Sequence, residues 1–329
     1  MVDSLRFGIV GCGLMGNKRA KYLPYGSLKL CVDSDINKAQ KMVNGLDGAS
    51  AIATTTTDGM LSTVDAVFIC TPNAYLAPNA LKAISAGKHV FIEKPGGIST
   101  IEIVELMAAA TENNVKVRIG YNHRYHPAIM KARKIIQYYN GIGQIMFIRG
   151  RYGHGGRRGY NKEWRSNLAL SGGGETLDQG SHLIDLSLMF LENFNEVGGF
   201  TNTYFWDMPV EDNGFMWLRT KNDQMAFLHA SCTEWRNMFS FEIYGRTGKL
   251  QIEGLGGSYG IERLSYYKMS PDLGIPDITH YEYPKPDNSW GIEYKEFYRD
   301  ITENRSPEPG LYHAGMVLDV VEKVYKVNR

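Results

Sequence analysis

Three side chains of this 329-residue chain have the chemistry and the settings for moving a proton: Lys94, Asp178 and His182. Lys94 lies in Val90-Phe-Ile-Glu-Lys-Pro-Gly97, an apolar run that delivers Glu93, Lys94 and Pro95 at the carboxyl end of a predicted strand. In an open parallel sheet those strand ends form the ligand crevice, where a lysine can donate or steer a proton. Pro95 fixes its own φ and pushes Lys94 towards extended backbone, which holds the lysine. A lysine snorkelling to solvent fits the same triplet. Asp178 and His182 are four apart in Asp178-Gln-Gly-Ser-His182-Leu-Ile-Asp185, so on one helix they share a face. A carboxylate beside an imidazole favours the imidazolium and orients the ring, as a catalytic acid/base requires. Asp185, one turn further, could orient His182 from the other side. The alternative is a hydrogen-bonded, half-buried histidine. Gly172-Gly-Gly174 ahead of the helix permits close approach by something else.

The elements that must position these groups alternate in the first half. Leu5 to Val10 is an apolar run ending in Gly11-Cys12-Gly13-Leu14-Met15-Gly16, a GxGxxG that follows a strand and opens a helix. Gly11 permits the tight turn, Gly13 lets backbone approach a pyrophosphate, and Gly16 allows close helix–strand packing. The phosphates then sit on the helix N-terminus. The strand Leu28 to Val32 ends at Asp33, where a carboxylate accepts both ribose hydroxyls and repels a 2′-phosphate. That favours NAD over NADP; the alternative makes Asp33 a turn residue. Helix 35–46, edge strand 49–54, strand 65–70, helix 75–86, strand 89–92, helix 99–112 and strand 115–119 follow. This pattern predicts an α/β, doubly wound Rossmann sheet of order 3-2-1-4-5-6, with its crevice between strands one and four. After Gly120 helices give way to consecutive strands, predicting an α+β domain on a large, mostly antiparallel open sheet. The domains are expected at 1–121, binding the dinucleotide, and 122–329, binding substrate and oligomerising.

Composition bounds the class. The formal charge is +1, which draws the chain neither to nucleic acid nor to an anionic membrane. Cys12, Cys31, Cys70 and Cys232 are scattered without ligand spacing and read as reduced core residues of a cytoplasmic protein, with no metal site. Neither a signal sequence nor a membrane span is recognisable.

In order and spacing, GxGxxG at Gly11–Gly16, CTPN at Cys70–Asn73, AGKHVFIEKP at Ala86–Pro95, GYNHRYHP at Gly120–Pro127 and GGGxxxDxGxHxxD at Gly172–Asp185 resemble the Gfo/Idh/MocA family of NAD(P)-dependent oxidoreductases. The resemblance spans nearly the full chain. It implies hydride exchange between nicotinamide and a secondary alcohol of a sugar or cyclitol. It also implies pairing through the open face of the C-terminal sheet into a homodimer or homotetramer. Lys94, Asp178 and His182 fall on the family's catalytic positions. The candidate cofactor set is Gly11, Cys12, Gly13, Leu14, Met15, Gly16, Asp33, Thr71, Pro72, Asn73, Glu93, Lys94 and Asn122. The candidate substrate set is Lys94, Arg124, Tyr152, Arg157, Arg158, Tyr160, Trp164, Arg165, Asp178 and His182. One departure is Leu76, where many relatives have a histidine. A glycosidase or epimerase using transient oxidation, and a non-enzymatic NAD or sugar sensor, are rival readings.

Residues 149–165 hold Arg149, Arg151, Arg157, Arg158, Lys162 and Arg165 against one acid, Glu163. Arginine forks suit phosphate oxygens, and Tyr160 and Trp164 offer flat faces to a sugar or base. The segment therefore predicts a phosphorylated or nucleotide-activated sugar, with a free sugar or cyclitol as the runner-up. A solvated loop, or arginines paired with carboxylates of a neighbouring subunit, fits the same composition.

Overall fold

The computed structural model describes residues 5–45 and 50–327; Leu46 and Ala49, predicted ends of two elements, lie outside them. The chain divides into two compact units. The first holds Met1–Tyr121, Ala169–Ser171 and Trp290–Gly315; the second holds Asn122–Leu168, Gly172–Ser289 and Met316–Arg329.

In the first unit β1 (Phe7–Val10), α1 (Leu14–Ala20), β2 (Leu28–Val32), α2 (Ile36–Asn44), β3 (Ile52–Thr54), β4 (Ala66–Ile69), α3 (Leu76–Ser85), β5 (His89–Glu93), α4 (Thr100–Glu112) and β6 (Val117–Gly120) alternate. The strands pair in parallel as β3-β2-β1-β4-β5-β6, the order expected. Strands β1 and β4 are buried at every position, which is why they read as unbroken apolar runs. Asp35 caps α2, accepting from Asn37 N at 3.0 Å. Ser99 caps α4 at 3.3 Å, and Glu102 reaches back to Ile98 N at 2.6 Å, a near-reciprocal box.

The expected second domain of 122–329 is not one uninterrupted block, because residues 290–315 pack with the first unit. The reason is aromatic. Phe297 is fully buried, with its ring 5.6 Å edge-on from both Phe68 and Phe91, and Tyr294 meets Phe7 at 5.8 Å.

The second unit opens with α5 (Pro127–Tyr139) and β7 (Ile145–Gly153); after α6 (Leu168–Ser171), whose last three residues belong to the first unit, come α7 (Glu175–Asp178) and α8 (Gly180–Leu191). Next come β8 (Glu196–Asn202), β9 (Asn213–Arg219), β10 (Met225–Ser231), β11 (Met238–Gly245), β12 (Gly248–Glu253), β13 (Glu262–Lys268) and β14 (Asp277–Tyr283). Helices α9 (Ser289–Thr302) and α10 (Leu311–Val327) close the chain. The eight-stranded sheet runs β14-β13-β12-β11-β7-β10-β9-β8, antiparallel except for the β7–β10 pair. Strand β8 stops at Asn202. The Asp212 carboxylate takes the N–H groups of Tyr204, Phe205 and Trp206 that a ladder would use. Helix α8 packs on β7 and β10; a Cβ on Gly150 would press on Leu183, Leu228 and Phe241 at 3.0–3.1 Å. The opposite face exposes Phe200, Phe215, Trp217 and Phe227.

Candidate active site

The glycine loop after β1 separates two uses of glycine. Gly11 has φ +95°, and a Cβ there would lie 2.6 Å from the Cys70 backbone; a Cβ on Gly16 would lie 2.1 Å from Gly11 O. Those two are required by the protein's own packing. A Cβ on Gly13 would meet nothing within 4 Å among the described residues. Its φ of −75° suits any residue, so packing does not explain this glycine; space for a ligand's phosphates does. Asp33 accepts from Cys12 N at 2.8 Å and Asp35 N at 2.9 Å, tying the loop to the end of β2. A carboxylate has about four acceptor positions, so two remain for ribose hydroxyls. At the end of β4, Thr71 Oγ1 is buried without a hydrogen-bond partner, and Asn73 donates to Ser171 O at 2.9 Å. The residues present therefore fit a dinucleotide. Leu76 is fully buried at the start of α3, so the departure there fills core.

Lys94 follows β5 in a tight turn: Gly96 N donates to Glu93 O at 3.0 Å, and the Lys94–Pro95 bond is cis. The lysine thus sits inside a turn closed by the Gly96–Glu93 hydrogen bond. Glu93, expected on the cofactor, gives its carboxylate to Arg19 at 2.6 Å and is 6% exposed.

In the second unit the predicted single helix breaks at Gln179, so Asp178 ends α7 and His182 stands in the first turn of α8. Gln179 keeps right-handed angles, φ −87° and ψ −36°. His182 stacks flat on His123, with centroids 3.7 Å apart and planes at 15°; Tyr152 stands edge-on at 5.9 Å. His123 in turn meets Tyr152 at 4.9 Å and Phe239 at 5.7 Å. Asp178 accepts from Arg165 Nε at 3.0 Å; burial opposes the Arg165 cation, and the charge and hydrogen bond of Asp178 together with Tyr160 and Glu163 more than offset it. Asp185, considered as a second partner for His182, instead takes a bidentate bond from Arg124 at 2.8 and 2.7 Å, buried on both sides. That commits the Arg124 fork inside the unit. Asn122 donates to Ser289 Oγ at 3.0 Å.

The basic segment is less free than its composition suggests. Arg157 pairs with Glu163 at 2.6 Å, Arg165 with Asp178, and Arg149 with Glu242 at 3.1 Å. Tertiary structure supplies acids that the local sequence does not. Tyr160 is 2% exposed and donates to Glu175 at 2.7 Å, which removes it as a stacking face. Trp164 lies under the Arg165 guanidinium at 4.6 Å.

Three residues at this end were not singled out from the sequence. His123 sits inside the GYNHRYHP stretch, but nothing local marks it as the floor beneath His182. Tyr259 and Arg236 line a hollow of ≈ 610 Å³ with Asn237, Phe239 and Ser258. Tyr259 meets Tyr152 at 5.2 Å, and burial together with the Tyr259 phenol raises the Tyr152 hydroxyl well above its usual range. Arg236 has no carboxylate partner among the described residues.

Residues 5–121 match the model of an oxidoreductase family with an NAD-binding Rossmann fold, and residues 129–251 match the GFO/IDH/MocA C-terminal domain. Levoglucosan dehydrogenase of Pseudarthrobacter phenanthrenivorans is 29% identical over 153 residues, 46% of this chain and 39% of that protein. UDP-N-acetylglucosamine 3-dehydrogenase of Acidithiobacillus ferrooxidans is 34% identical over 131 residues, 40% of this chain and 41% of that one. Both matches span less than half the relative's length. The structure of GenD2 from gentamicin A biosynthesis, in complex with NAD, superposes with a TM-score of 0.84 at 24% identity, covering 99% of this chain and 95% of that one. No helix among the described residues is long and apolar enough to cross a membrane. A glycine loop with room for a pyrophosphate and two family models over most of the length agree: the chain belongs to the Gfo/Idh/MocA family of NAD-binding oxidoreductases.

Proposed function

We propose that the protein is an NAD-dependent dehydrogenase or ketoreductase acting on a secondary alcohol of a sugar or cyclitol. The observation that carries this reading is the setting of His182: a neutralisable base on an aromatic shelf of His123 and Tyr152, with the carboxylate of Asp178 close in sequence. Aromatic faces suit the C–H faces of a sugar ring, and the relatives named above act on sugars. His182 accepts the hydroxyl proton, and Lys94 donates a hydrogen bond to the oxygen as it gains charge. NAD supplies the hydride acceptor when bound; Gly13 and Asp33 hold its phosphates and ribose. Asp33 favours NAD over NADP.

The neutralised arginines favour an uncharged sugar or cyclitol over a phosphorylated one, because Arg149, Arg157 and Arg165 already face carboxylates. A nucleotide-activated sugar remains the second reading, supported by Arg236 beside its hollow. The exposed aromatic face of the eight-stranded sheet, with a hollow of ≈ 470 Å³ lined by Arg149, Phe215, Phe227 and His229, supports self-association there. The test is NADH formation from NAD⁺ with matched free sugars, cyclitols and UDP-sugars. Free sugars should give the higher kcat/KM. A tenfold preference for the UDP-sugars reverses the substrate assignment, and no NADH with any alcohol, alongside tight non-exchanging NAD, favours transient oxidation.

A further inference from the structure

We propose that Arg19 is a positioning residue for Lys94: through Glu93 it fixes the carboxyl end of β5, while Glu293 and Trp290 hold Arg19 in place. The inference rests on the reading of Lys94 as the group that meets the substrate oxygen. Arg19 lies three residues past the glycine motif, on α1, where an arginine would ordinarily reach for solvent. Here it is 2% exposed. Its Nε donates to Glu93 Oε1 and its Nη1 to Glu293 Oε2, each at 2.6 Å. The guanidinium carbon lies 4.1 Å from the Phe91 ring centroid and 4.4 Å from that of Trp290. One hydrogen bond to each of two carboxylates, and two aromatic rings against the guanidinium, leave the side chain little freedom.

Glu93 is the residue before Lys94. Its carboxylate is held by Arg19 and its carbonyl by Gly96 N, so both ends of the residue are fixed where the lysine begins. Gly120 at the end of β6 makes room: a Cβ there would come within 3.0 Å of Arg19 Nη2 and 3.1 Å of Glu93 Oε2. One buried side chain thus ties the helix that follows the dinucleotide loop to the strand end that presents the lysine. Glu293 is faced by Arg19 from α1, Glu93 from β5 and Arg118 from β6. Burial first, then the Glu93 charge, pushes its carboxyl up to about 7. The neighbouring Cys70 thiol is pushed well up by burial and is neutral.

The test separates placement from mere stability. NADH affinity is read by fluorescence, and kcat and KM are measured on the best sugar of the panel, for Glu93→Gln, Arg19→Lys, Arg19→Met and Lys94→Ala. Glu93→Gln keeps shape and folds even where Arg19→Met does not. Misplacement by about 1 Å is enough for a loss on the order of 100-fold, so Glu93→Gln should lower kcat by at least about tenfold. NADH affinity and sugar KM should stay within about threefold, with Arg19→Lys recovering part of the loss. The resonance of ¹³C-dimethylated Lys94, assigned with Lys94→Arg, should shift in Glu93→Gln even without turnover. A collapse of Lys94→Ala beside an unchanged kcat and unchanged resonance in Glu93→Gln overturns the clamp alone. Near-normal activity of Lys94→Ala overturns the reading of Lys94, and the inference with it.

Discussion

In the first unit the candidate dinucleotide site is built mainly of backbone: a glycine with room beside it, strand ends and a tight proline turn. In the second the candidate catalytic cluster is built of side chains from scattered elements. His123 and Tyr152 adjoin His182, Phe239 adjoins both of those rings and Tyr259 adjoins Tyr152, and Arg165 reaches Asp178. A backbone site is specified by a few consecutive residues, because a turn or a close approach is a local property. A side-chain site depends on which strands become neighbours, which is a property of the whole sheet. Register makes the point: Phe239 lies opposite Tyr152 across β11 and β7, 87 positions away in sequence, and places both rings by His123.

The largest expected effect removes the chemistry from each region in turn. Lys94→Ala and His182→Asn should each lower kcat on the order of 100-fold or more, while NADH binding measured by fluorescence stays within a few-fold. Equal weakening of binding and turnover would place either residue among ordinary contacts.

The next sharpens the contrast within the glycine loop. Gly16→Ala drives a Cβ against Gly11 O and should destabilise the fold by about 1–3 kcal/mol in denaturant titrations. Gly13→Val has space in the protein and should leave the midpoint nearly unchanged while weakening NADH at least about tenfold, since the new side chain takes the ligand's place. Unchanged affinity in Gly13→Val would mean the space there is not the phosphate site.

A third prediction concerns the buried carboxylates. Glu293 is raised from an ordinary 4.5 to about 7, so the folded state holds its proton more tightly than the unfolded state. Stability from this group is therefore full below about pH 4.5 and declines as pH rises to about 7, by on the order of 3 kcal/mol at about 1.4 kcal/mol per unit. Measured at pH 5 and pH 7.5, unfolding of Glu293→Gln should lack that decline. Parallel pH curves for both proteins would show Glu293 ionised throughout.

The smallest effect is expected at Arg157. It is exposed and paired with Glu163, so Arg157→Ala should change kcat/KM for a free sugar by less than about threefold. A tenfold loss confined to UDP-sugars would restore the phosphate reading of the basic segment.

The sequence by itself determined the doubly wound sheet and its strand order, because buried parallel strands are unbroken apolar runs separated by helices of clear period. It also determined the dinucleotide loop and the presence of Lys94 at a strand end, each encoded in adjacent residues. The tertiary structure decided what long-range pairing controls. The aromatic contacts of Phe297 move residues 290–315 into the first unit. Asp185 belongs to Arg124 and Glu93 to Arg19, pairings across 61 and 74 positions that no spacing rule links. In the basic segment, rich in charge as a string, three of the six cations face carboxylates among the described residues: Arg157 meets the local Glu163, while Glu242 and Asp178 arrive at Arg149 and Arg165 from a neighbouring strand and helix. Coulomb attraction over a few ångströms acts on spatial neighbours, and only the fold determines who those neighbours are.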